Sequence, residues 1–135
     1  MPAIMADHDS EGHVQVLLRV LTSAAWVDVW HELTIGVESF ASLGLPTNTP
    51  DAVLWQICQG QQIILITGNR NKAGPDALEA VIEREHTPTS LPVLTIGVPP
   101  RVLSSQAYAE RVVIRLLELL LDLEQYRGTG RLYLP

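Results

Sequence analysis

The chain is poor in positive charge and in thiols. Lys72 is its only lysine, and nine basic residues face fifteen acidic ones, for a net charge of −6. That balance excludes a protein that coats nucleic acid through bulk electrostatics, so any such partner is met at a small local site. Cys58 is the single cysteine, which excludes an intramolecular disulfide. Its place in the run Ala52-Val53-Leu54-Trp55-Gln56-Ile57-Cys58 predicts a buried, inert thiol in a reducing compartment. Long apolar runs are missing too. The nearest candidate, residues 112–123, is interrupted by Arg115, Glu118 and Asp122 and falls short of the roughly 20 residues of a membrane span. The first residues show neither the basic nor the apolar part of a secretory signal, and together these features predict a soluble, cytoplasmic protein with no membrane partner. Histidines are few, and His8, His13, His31 and His86 lack regular metal-ligand spacing. No Gly-x-Ser-x-Gly elbow and no phosphate-binding glycine motif of the Gly-x-Gly-x-x-Gly or Gly-x-x-x-x-Gly-Lys type is present.

What the chain has is a folding composition: 47% hydrophobic and 18% charged over 135 residues, which fits one domain over residues 1–135. Short apolar runs alternate with helical patterns, the signature of an α/β fold with a mainly parallel sheet. Ala3-Ile4-Met5-Ala6 reads as a first strand ending at Asp7. Val14, Leu17, Leu18 and Leu21 then mark the apolar face of a helix. Trp26-Val27-Asp28-Val29-Trp30 reads as a second strand, and residues 39–44 as a short helical turn. Thr49 as cap and Pro50 as first residue open a helix to about Gln59, with Asp51 in its first turn. Gln62-Ile63-Ile64-Leu65-Ile66-Thr67 is a strand buried on both faces, followed by a polar loop and a helix opened by Pro75. Pro92-Val93-Leu94-Thr95-Ile96 is a fourth strand. The expected architecture is three-layer α/β/α with a four- to five-stranded sheet in the order 2-1-3-4. The longest helix, residues 104–126, carries only the narrow polar stripe Arg111, Arg115, Glu118 and Asp122. So wide an apolar arc predicts a homodimer through this helix, unless residues 127–135 fold back over it.

Ligands of an open parallel sheet bind beyond the carboxyl ends of the strands, where connections leave toward opposite faces. With the expected order, that point lies between the strands ending at Asp7 and Thr67. It gathers Asp7, His8 and Asp9 beside Asn69, Arg70 and Asn71, with Asp51 in reach. Hard oxygen donors at such a place suit Mg²⁺ or Mn²⁺. The residues here resemble the PIN-like nuclease fold, in a short branch of that family. An aspartate ends the first strand (Asp7), an acidic residue starts a helix (Asp51 in Thr-Pro-Asp-Ala), and the run Ile-Leu-Ile-Thr-Gly-Asn-Arg-Asn places Asn69, or Asn71, where the family commonly has a third aspartate. Asparagine brings a carbonyl oxygen but no charge; Asp76 or Asp9 would restore the missing carboxylate.

The resemblance implies hydrolysis of a phosphodiester, usually in RNA, by metal-activated water. Asp7 and Asp51 would be the main ligands, Asn69 a neutral ligand or water-positioning group, and Arg70 and Lys72 contacts to substrate phosphate. Some proteins of this fold are toxins held by an antitoxin, though nothing in the sequence identifies such a partner. The rival implied by the asparagine is a catalytically degenerate, dimeric interaction or regulatory module. A plainer account also exists for Asp51 and Asp76, since a carboxylate in the first turn of a helix is favoured by the helix dipole alone.

Overall fold

The computed structural model describes residues 2–68 and 77–135. Five parallel strands form one sheet: β1 (Ala3–Ala6), β2 (Gly36–Glu38), β3 (Ile63–Thr67), β4 (Val93–Ile96) and β5 (Arg131–Leu134), in the order β2-β1-β3-β4-β5. Seven helices are described: α1 (Glu11–Leu21), α2 (Val27–Leu33), α3 (Phe40–Leu43), α4 (Asp51–Gly60), α5 (Leu78–Glu85), α6 (Pro99–Ser104) and α7 (Gln106–Leu121). The central strands β1, β3 and β4 are buried at every residue. Covered on both sides, they need apolar side chains on both faces rather than alternation.

Two cores result. Ile4, Ala6, Ile64, Ile66, Leu94 and Ile96 point to one face and pack against α1, α2, α6 and α7. Ala3, Met5, Ile63, Leu65 and Val93 point to the other, against α3, α4 and α5. The chain is therefore a three-layer α/β/α fold. Because β1 leads into α1 on the first face while β3 leads toward α5 on the second, the connections diverge between β1 and β3, at their carboxyl ends.

The expected second strand is corrected. Residues around Trp26–Trp30 form the start of α2, and the strand beside β1 is Gly36–Glu38. Apolar residues at 26, 27, 29 and 30 satisfy a helical spacing as well as an alternating one, and Trp30 is buried from the helix. The true strand is three residues long and mostly exposed, so it has no periodic signature. At α4, Pro50 rather than Thr49 holds the capping position, and the Thr49 hydroxyl donates instead to the Pro46 carbonyl at 2.6 Å.

The long C-terminal helix is shorter than expected. Ser105 caps α7 by accepting from the Tyr108 N–H, and after Leu121 the chain tightens into a 3₁₀ turn at Leu123–Tyr126. Eight of its apolar side chains are buried within the chain itself, against α1, α2, α6 and β5. Ile114 and Leu121 are the large apolar residues of α7 left exposed, which narrows the surface on which self-association would rest. No helix among the described residues is long and apolar enough to cross a membrane.

Gly68, just beyond β3, lies close against the start of α6. A Cβ there would lie 2.6 Å from Pro99 Cγ, a ring fixed at the start of α6. Gly68→Ala is expected to lower unfolding free energy by about 1–3 kcal/mol. Gly12→Ala, exposed in α1 with nothing within 4 Å, should raise it by about 0.5–1 kcal/mol. Denaturant titration of both variants checks the contrast.

Candidate functional site

A polar row crosses the carboxyl end of the sheet on the α4–α5 face. Asp7 follows Ala6, whose register partner is Ile66, and so stands beside Thr67. Thr67 pairs with Thr95, and Thr95 with Tyr133. Strands that are otherwise apolar thus carry oxygen atoms at one level. The fully buried Thr67 hydroxyl donates to Asp7 Oδ2. Asp7 is itself only 8% exposed, and its other oxygen, Oδ1, is buried without a hydrogen-bond partner among the described residues. An unsatisfied buried carboxylate oxygen is costly, and such an atom calls for an explanation such as an ion.

Asp51 opens α4 across from it. Its carboxyl pKa is raised above the ordinary 3.8, first by burial and next by the charge of Asp7. The Leu78 N–H, at the start of α5, donates to it and pulls the other way; Asp9 adds to the rise and Arg131 opposes it. Asp7, Asp9 and Asp51 line one cleft of about 210 Å³, together with His8, Thr47, Asn48 and Thr49. Asp9 is exposed at its mouth.

Beside the acidic cleft lies a buried cation whose charge reaches Asp51. Arg131, at the start of β5, has a side chain only 7% exposed and pairs with Glu79 of α5 at 2.7 Å. It also donates to the Thr95 hydroxyl. Glu79 reads from helical periodicity as a solvent residue, and the structure turns it inward to this arginine. The signal that both Ile63–Thr67 and Val93–Ile96 carry a threonine on the same face was present in the sequence.

The site expected from the sequence is thus gathered in part. Asp7, Asp9 and Asp51 share the cleft. Asn69, Arg70, Asn71, Lys72 and Asp76 lie outside the described residues. Their segment begins after Gly68, whose N–H donates to Ser10 Oγ at 2.9 Å, and ends before Leu78, which donates to Asp51. Among the described residues no three His, Cys, Asp or Glu side chains form a group that could hold a metal ion. The two inward carboxylates still suit a cation such as Mg²⁺, which takes one or two carboxylates and completes its shell with water and substrate phosphate. Cys58 is buried, with its thiol pKa pushed up to about 12 by burial, and offers no nucleophile. The chain matches no family model, no curated protein and no solved structure.

Asp51→Asn keeps an oxygen to accept from the Leu78 N–H and removes a charge that burial and Asp7 oppose. The folded protein binds the Asp51 proton more tightly than the unfolded chain does, so wild type is at no disadvantage below 3.8 and loses stability as pH rises above it. The variant should therefore gain up to about 1 kcal/mol at neutral pH, allowing for solvent screening. Thermal melts from about pH 3 to about pH 7 should show that gain fading in acid; a gain independent of pH would contradict the account. Arg131→Met should cost about 2–3 kcal/mol by stranding Glu79, less than for a fully buried pair because Glu79 retains some solvent, and denaturant titration reads the loss.

Proposed function

We propose that the chain is a PIN-like, divalent-cation-dependent phosphodiester hydrolase acting on RNA, with Asp7 and Asp51 as the residues that hold Mg²⁺ or Mn²⁺. The observation that carries this reading is the buried, unpartnered Oδ1 of Asp7 beside a carboxyl group whose proton affinity the Asp7 charge raises. A carboxyl group whose ionisation burial and the Asp7 charge both oppose brings no benefit to folding there, and a divalent cation beside it would reverse the sign of the field a polyanionic substrate meets. The position agrees with it, since the cleft opens at the carboxyl ends of β1 and β3, where the connections diverge.

The chain's own residues do the positioning. The Thr67 hydroxyl fixes Asp7 through Oδ2 and leaves Oδ1 as the ligand atom. The Leu78 N–H favours the charged form of Asp51 and partly offsets the effect of burial. Asp9, exposed at the mouth, is placed to accept a proton from water in the cleft. A bound divalent cation supplies a water of lowered pKa and a Lewis-acid contact to the phosphoryl oxygen. Asn69, Asn71 or Asp76 as a third oxygen donor, and Arg70 and Lys72 as phosphate contacts, complete the proposal on the strength of the sequence alone.

Mn²⁺ titration followed by thermal melting tests the site: at about ten times its dissociation constant the ion should add about 1.4 kcal/mol to wild type and nothing to Asp7→Asn. Single-stranded RNA with Mg²⁺ or Mn²⁺ should be cut by wild type and cut at least about 100-fold more slowly by Asp7→Asn or Asp51→Asn. A flat titration in a folded protein would instead favour the degenerate interaction module.

A further inference from the structure

Of the described basic residues, Arg84, Arg115, Arg127 and Arg131 form ion pairs. Arg19, Arg101 and Arg111 form none among the described residues. Two of these three are held together. The guanidinium carbon of Arg101 lies 4.7 Å from the centre of the Tyr108 ring, and that of Arg111 lies 5.7 Å from the same centre. Both arginines are exposed, whereas Tyr108 beneath them is buried. The ring is anchored at its far end, where the Tyr108 hydroxyl accepts from the Val98 N–H at 2.9 Å. Among the described residues neither has a carboxylate within ion-pair distance, in a protein of net charge −6. A phosphate bound by the pair would supply the counter-charge.

Their place in the fold gives that phosphate a context. The acidic cleft adjoins a second cleft of about 220 Å³, lined by Asp9, Ser10, His13, Gly68 and Pro99, and Asp9 belongs to both. The second cleft ends at Pro99, the first residue of α6, and Arg101 lies in the same short helix. α7 starts on this rim and runs toward the opposite one, where its last residues share a pocket with Pro2. From Asp7 and Asp51 the two adjoining clefts thus lead as far as Pro99, two residues before Arg101 in α6. The carboxylate of Asp9 repels phosphate from the intervening floor, and the pair lies beyond it in α6 and α7.

We propose that Arg101 and Arg111, stacked on Tyr108, form a phosphate-binding clamp for a single-stranded RNA segment that extends from the acidic cleft across the carboxyl rim. The choice of RNA among polyanions rests on the hydrolase reading, but the clamp binds without metal, so the two are tested separately.

The probe is a fluorescently labelled short oligouridylate, followed by anisotropy in EDTA across roughly 50–200 mM salt. Arg101→Gln/Arg111→Gln should weaken binding at least about tenfold at the low-salt end and reduce the slope of log affinity against log salt by about 1.4, the value for two contacts on a single strand. Arg101→Lys/Arg111→Lys, which keeps the charge, should retain the slope. Arg19→Gln/Arg84→Gln removes the same charge elsewhere and should change affinity less than threefold or so. The proposal is overturned if wild type does not bind, if the clamp variant binds with the wild-type slope, or if the control pair loses as much. It is also overturned if inorganic phosphate at matched ionic strength competes the RNA away with no dependence on the two arginines. Thermal melts establish that each variant is folded; should the glutamine variant unfold, the slopes of the single variants Arg101→Gln and Arg111→Gln decide. Clamp-dependent binding with no Mn²⁺ response would sink the hydrolase reading and leave the clamp standing.

Discussion

The hydrogen bond from Thr67 to Asp7 is the constraint on which the rim is built. Two neighbouring parallel strands, buried along their whole length, end together in a hydroxyl and a carboxylate. A parallel sheet covered on both faces has little room for polarity within its strands, so the polar chemistry of this chain is displaced to their carboxyl ends. Once Oδ2 of Asp7 is committed to Thr67, the direction of the carboxylate is set and its second oxygen is left inside the cleft. Everything else at the rim is arranged around a charge that the sheet itself cannot move.

Among the described residues the charges do not balance locally. Asp7, Asp9 and Asp51 face one another across the cleft, and the nearest buried cation, Arg131, is already engaged by Glu79 at 2.7 Å and by Thr95. Its effect on Asp51 is accordingly the smallest of those that act there, while burial and the Asp7 charge lead. A buried pair that answers its own charge contributes rigidity to the α5–β5 side of the sheet rather than neutrality to the cleft. Among the described residues the cleft therefore carries more negative charge than Arg131 offsets.

The large elements were legible because their signals are long or redundant. Ile63–Thr67 can hardly be anything other than a central strand, and Val14, Leu17 and Leu21 repeat at a spacing that only a helix satisfies. Taking the order as 2-1-3-4 put the divergence point beside Asp7 and Thr67, and the sheet has that order with Gly36–Glu38 rather than Trp26–Trp30 as its second strand. Failures came where two periods coincide. Trp26 to Trp30 fits both a strand and one turn of helix, and tertiary packing of Trp30 decides for the helix. The wide apolar arc of α7 implied an outside partner, yet a helix central to its layer is enclosed on several sides by α1, α2, α6 and β5. In the site, Asp7 and Asp51 stood out as aspartates at element boundaries. Arg131 and Glu79 did not, because their meeting depends on where β5 joins the sheet, 52 residues from α5 in the chain. No local pattern encodes that.

Contacts between neighbouring elements couple the parts of the rim. Ser10, in the turn after Asp7, accepts from the Gly68 N–H; Gly68 in turn lies against Pro99, which starts the helix carrying Arg101. Asp51 is tied by the Leu78 N–H to the helix that carries Glu79, and through Glu79 to Arg131 of β5. Asp7 is thus held by the last residue of a neighbouring strand, and Asp51 by the first residue of a neighbouring helix. A substitution that displaces α6 or α5 by a few tenths of an ångström reaches the cleft without touching it, since close-packed interiors transmit strain instead of absorbing it. Precise placement of two mutually repelling carboxylates requires such bracing from both sides, because their own electrostatics would drive them apart.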